Sequence, residues 1–182
     1  MYNQKISFTY FLSITLAVIF TALLHEFAHW AMSESLGYDT AMTLNSTYPT
    51  HAVWSEKHQI IISALGPIIT LVQAVVVFLL LKKNHWNKYL YPLLFTPFYM
   101  RLLACFMNWI NPNDEGRIST YLGLGLFTLP ILISGLLFYL VFTTSRNHHL
   151  KWQFQVFTIF IVMNISSFLI LSDQYFRVNI FL

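Results

Sequence analysis

Residues 8–30 read FTYFLSITLAVIFTALLHEFAHW. From Phe8 to Leu24 the run is mostly apolar and carries no charge. With its flanks it is long enough to cross a hydrocarbon core of about 30 Å as a helix. His25, Glu26 and His29 stand at its end. Positions four apart stack on one helix face, so His25 and His29 can present two imidazoles to one metal ion. Glu26 lies about 100° further round, where it can reach a water at the metal without ligating it. This is the H-E-x-x-H spacing of zinc hydrolases, two ligands and a general base. Such groups are costly in lipid unless they face a protein interior, a cavity or a metal. The stretch therefore predicts a membrane helix with a metal site near one end.

Composition extends that reading to the whole chain. Of 182 residues, 57% are hydrophobic and only 9% charged, where a soluble domain carries about 25% charged residues. Five apolar runs are long enough to span, near 7–31, 58–81, 88–109, 119–143 and 152–172. The expected fold is an all-α polytopic membrane protein, one domain over 1–182, with a short β-hairpin-like loop after the first helix. The longest polar stretch, 33–57, is too short for a core of its own. A net charge of +3 with scattered basic residues gives no footprint for nucleic acid. Cys105 is alone, so no intramolecular disulfide is possible, and it lies in an apolar run as a small hydrophobe. Lys5 before an apolar run imitates a signal peptide, but no small-residue cleavage site follows, and the run reads as a retained first span.

Taken in order, the chain turns polar after Trp30, and Gly37 marks a helix stop. Segments 38–44 and 50–54, joined through Asn45-Ser46-Thr47 and Pro49, read as a small hairpin over the membrane face. The second span begins with Gln59-Ile60-Ile61-Ile62-Ser63-Ala64-Leu65-Gly66-Pro67, in which Ser63, Ala64 and Gly66 let another helix approach and Pro67 frees a carbonyl. Arg101 lies well inside the third run and is expected to face the interior and pair. Asn108-Trp109-Ile110-Asn111-Pro112-Asn113-Asp114-Glu115-Gly116-Arg117 then separates the third and fourth runs.

Counting crossings brings these pieces together. Span one ends, span two begins, and the 108–117 segment turns on the same membrane face. A catalytic zinc site has three protein ligands and one open position, and Asp114 is the expected third ligand. Glu115, Asp39, His51 and His58 are rivals, Glu115 the strongest because it adjoins Asp114.

In the order of these three segments the chain resembles the site-2 protease family of intramembrane zinc metalloproteases. His25-Glu26-Phe27-Ala28-His29 sits in a predicted membrane helix, Ser63–Pro67 is similar to the family's small-residue Gly-Pro segment, and Asn111–Gly116 to its Asn/Pro segment ending in Asp-Gly. The resemblance covers about the first two thirds of the chain. Glu115 interrupts the usual Asp-Gly, Phe106 stands where the family's asparagine usually lies, and Thr70 replaces an asparagine after Gly-Pro. The resemblance implies one Zn²⁺ on His25, His29 and Asp114, with Glu26 as catalytic base. It also implies that Asn108, Asn111, Gly66 and Pro67 contact the substrate, itself a transmembrane protein or peptide cut within the bilayer. No room is left for accessory PDZ or CBS domains. A bacterial inner membrane is the expected setting. Lys5, Lys82, Lys83, Lys88, Arg146 and Lys151 on the opposite face place that face in the cytoplasm by the positive-inside rule, whereas the family places the site near the cytoplasm. The rival function is a non-catalytic metal-binding membrane protein, a metal carrier or a helix-binding regulator on the same scaffold.

Overall fold

The computed structural model describes residues 3–83 and 86–181, without the Lys83 side chain. In chain order it contains α1 (Phe8–Ser35), β1 (Thr40–Met42), β2 (Thr47–Pro49), α2 (Glu56–Lys83), α3 (Tyr91–Met107), α4 (Asp114–Tyr121), α5 (Thr128–Asn147) and α6 (Trp152–Phe176). The helices α1, α2, α5 and α6 are long and apolar enough to cross a membrane, and α3 is a shorter apolar helix of 17 residues.

Helix α1 begins where the Ser7 side chain accepts from the Tyr10 amide, and ends before Gly37, whose φ of +84° an L side chain resists. Its buried positions run Tyr10, Ile14, Ala17, Val18, Thr21, Ala22, His25, Glu26, His29 and Ser33, a stripe at helical spacing. Phe8, Leu12, Leu16, Phe20 and Phe27 face outward. Large apolar side chains on the outside of α1, α2, α5 and α6 are what lipid contact requires; in water they would be aggregation surfaces.

The core is aromatic and aliphatic, with Tyr10, Ile14 and Val18 meeting Leu81, Tyr91, Leu94, Leu137, Phe154 and Val162. Among the polar side chains buried with it, two sets of bonds tie helices together. The Tyr10 and Thr158 hydroxyls lie 2.6 Å apart, and Gln73 Nε2 donates to Thr21 Oγ1 and to the Leu93 carbonyl, each at 2.9 Å. These bonds fasten α1 to α6 and join α1, α2 and α3.

The fourth apolar run differs from its expectation as one helix near 119–143. It is α4, a turn, and α5. Gly123 and Gly125 take φ of +72° and +84°, and Leu124 N bonds back to the Ser119 carbonyl. Glycine allows that left-handed backbone at little cost, which a hydropathy window cannot register. The polar segment before it is also more than a turn: Asp114 is the first residue of α4, with Asn113 as its cap.

The hairpin is present. β1 and β2 pair antiparallel with Thr40 opposite Pro49, Ala41 opposite Tyr48 and Met42 opposite Thr47. Asp173 of α6 holds its turn, accepting from Thr43 Oγ1 and from the Leu44 amide at 2.9 Å each.

Candidate metal centre

Three segments distant in sequence converge on the second half of α1, six to ten residues before its last residue, Ser35. His25 and His29 stack one turn apart on its buried stripe, and α2 crosses directly behind them. Gly66 makes that crossing possible, because a Cβ there would overlap both imidazole rings. His29 Nδ1 lies 2.7 Å from the Ile62 carbonyl, an acceptor only, so Nδ1 carries the proton. With the ring neutral, as metal binding requires, Nε2 is bare and faces the third segment.

That segment supplies Asp114. Its Oδ2 lies 3.2 Å from His25 Nε2 and 3.3 Å from His29 Nε2, and the two Nε2 atoms are 3.1 Å apart. Ligand atoms about 2.0 Å from a tetrahedral ion are separated by about 3.3 Å, so this triangle has the right size for three of four positions. Its chemistry agrees, since the bare His29 Nε2 and a carboxylate oxygen at 3.3 Å repel unless a cation or a proton lies between them. His25, His29 and Asp114 are the one group of three or more such side chains, among the described residues, arranged to hold a metal ion.

Asp114 is held from both sides. Its Oδ1 accepts from Arg117 Nη2 at 2.6 Å, one helical turn on. Arg117 also donates from Nε to Ser63 Oγ at 3.3 Å and from Nη1 to the Pro112 carbonyl. Sequence reading did not single out Arg117. The available signal was its three-residue spacing from Asp114, which puts the two on one face of α4.

Glu115, the strongest rival, points elsewhere. It is buried, and its Oε1 accepts from Arg101 Nη1 at 2.8 Å, which also meets the expectation that Arg101 would turn inward and pair. Asp39 and His51 are exposed, and His58 Nδ1 is 2.8 Å from the Tyr38 hydroxyl.

Glu26 is buried beside the histidines, and its Oε2 accepts from Thr47 Oγ1 of β2 at 3.0 Å. All four side chains line one cavity of about 530 Å³, together with Asn45, Ser46 and Thr47 of the hairpin, Met100 and Met107 of α3, and Leu169 and Gln174 of α6. Asn111 is exposed and lines this cavity. Asn108 is buried, and its Oδ1 accepts from the Asn113 amide at 2.9 Å. Asn113 in turn caps α4 through Gly116 N at 3.1 Å and donates to the Ala104 carbonyl. Asn108 thus shapes the segment that presents Asp114. Gly66 and Pro67 are buried behind the histidines, off the cavity wall, and Thr70 donates to both their carbonyls.

No family model, curated protein or solved structure matches this chain.

Proposed function

We propose that the chain is an intramembrane zinc metalloprotease, a minimal relative of the site-2 proteases, which hydrolyses peptide bonds of membrane-embedded substrate helices. The observation that carries this reading is the cavity shared by the His25, His29 and Asp114 triangle and the Glu26 carboxylate, against the second half of a membrane-length helix. Zinc on two imidazoles and a carboxylate supplies a Lewis acid that polarises a carbonyl and acidifies a water.

The remaining chemistry falls to the chain. Glu26 takes the proton of the attacking water and delivers it to the leaving amine. Thr47 fixes the carboxylate's direction, and Arg117 fixes that of Asp114. The cavity is lined in part by exposed Ser46 and Asn111, which gives water an approach that the bilayer core would deny.

A helical substrate must open first, because its carbonyls are already hydrogen-bonded. The hairpin offers an edge for the opened segment. The outer edge of β1 is taken: Thr40 N donates to Glu34 Oε1, Trp30 Nε1 donates to the Thr40 carbonyl, and Met42 exchanges bonds with 180–181. Thr43 with Ser46 and Asp39 with Thr50 are hydrogen-bonded pairs, so alternation turns the Thr47 N–H and C=O outward from the hairpin. An added substrate strand would therefore lie along β2, beside the residue that holds Glu26. The setting we propose is a bacterial inner membrane.

The test is cleavage of a model transmembrane peptide by detergent-purified, zinc-loaded protein. Glu26→Gln should retain the metal and lose at least about 100-fold in rate. A wild type that binds zinc and cuts no peptide would favour the metal carrier or helix-binding regulator instead. A Glu26→Gln protein as active as wild type would refute the assigned base.

A further inference from the structure

Arg101 is the single charged residue of α3, 5% exposed, and it lines the same cavity as Glu26 and the three donor side chains. Its contact with Glu115 is one-armed, Nη1 to Oε1 at 2.8 Å. Arg101 Nε and Glu115 Oε2 are both buried and without partners among the described residues. A guanidinium carries five N–H groups in a fixed fork, and a pair serving only to lock two helices usually closes that fork on both carboxylate oxygens. Here Nε is left without a partner among the described residues, on a residue that lines the cavity. Arg101 shares that cavity wall with His25, Glu26 and Asp114, so its guanidinium is on the side where charge would develop.

We propose that Arg101 is a catalytic residue, donating to the oxygen of the scissile carbonyl as that oxygen becomes negative; this rests on the peptidase reading above. When water adds to the carbonyl carbon, a C–O bond forms and the carbonyl π pair moves onto oxygen. Glu26 receives the water proton. Collapse then breaks the C–N bond, and the amine leaves with the proton from Glu26. A preformed donor fixed by Glu115 stabilises the intermediate oxygen more than the neutral carbonyl, which is the condition for accelerating the step. Glu115 is thereby a positioning residue, and the chain's departure from Asp-Gly acquires a role.

Replacing Arg101 alone would strand a buried carboxylate, so the informative protein is the double variant Arg101→Met with Glu115→Met, which removes both charges. It is compared with wild type for zinc content, thermal midpoint, affinity for a peptide phosphinate that mimics the tetrahedral oxyanion, and cleavage of the model peptide. Zinc and midpoint should match wild type, while phosphinate affinity and kcat each fall about 100-fold with KM little changed. Arg101→Lys, which keeps the charge beside Glu115 and loses the fork, should hold zinc and weaken phosphinate binding. Phosphinate affinity equal to wild type in both variants overturns the role of Arg101, whether or not any peptide is cut. A wild type that cuts nothing, yet loses phosphinate on these substitutions, refutes proteolysis and leaves the oxyanion contact standing.

Discussion

Gly66 and Arg117 support the donor triangle without supplying a ligand to it. Alanine is about 1 kcal/mol better than glycine inside a helix, so propensity alone predicts that Gly66→Ala stabilises the protein. Packing predicts the reverse, because the new methyl group would displace both imidazoles. Competition against a zinc chelator should show at least about a tenfold loss of affinity for Gly66→Ala, in the range found when support of ligands is removed. Arg117→Met should cost about 10- to 100-fold by the same titration, since Asp114 Oδ1 loses its 2.6 Å partner. Unchanged affinity in either variant would mean that the triangle does not depend on its surroundings. At this scale the sequence is uneven. The histidines and Glu26 are legible because helical periodicity fixes their relative positions. Asp114 and Glu115 differ only by 100° around a short helix, and what separates them is a partner, Arg101, on another helix. The family resemblance implied a substrate contact for Asn108, and in the fold its Oδ1 holds the Asn113 amide of the 108–117 segment.

At the scale of elements, hydropathy located α1, α2 and α6 to within a few residues, because lipid-facing surface must be apolar along its whole length. The break between α4 and α5 escaped it, since Gly123 and Gly125 sit among apolar residues and act through φ rather than polarity. Gly125→Ala places a Cβ on a backbone with φ of +84° and should cost about 1 kcal/mol, read as a lower thermal midpoint in detergent with zinc content unchanged. The hairpin reads weakly in sequence because its strands have only three residues each. Its importance lies in one contact, Thr47 with Glu26. Thr47→Val keeps the shape and removes the hydroxyl, so it should lower kcat several-fold and leave metal binding intact. Thr47→Pro also removes the outward N–H, and a still larger loss with a raised KM is expected if substrate adds along β2. Equal kinetics for the two variants would argue against strand addition.

At the scale of the molecule, four membrane-length helices and two shorter ones among the described residues gather a polar cluster against the second half of α1. Two imidazoles, three carboxylates and two guanidinium groups gather there in a chain of which only 9% of residues are charged. Such a concentration is expensive to bury without a compensating ion, and an ion that binds only the folded chain must stabilise it. Metal-stripped protein should therefore unfold at a lower temperature than zinc-loaded protein in the same detergent. Substitution of Asp114 by Asn should erase most of that difference. The most direct measurement is the zinc content of the purified wild type beside Asp114→Asn, with X-ray absorption to identify the ligands. One zinc per wild-type chain, bound by two imidazoles and a carboxylate and largely lost from Asp114→Asn, is the predicted result. A wild type without metal, or an Asp114→Asn protein holding zinc as tightly as wild type, would contradict it.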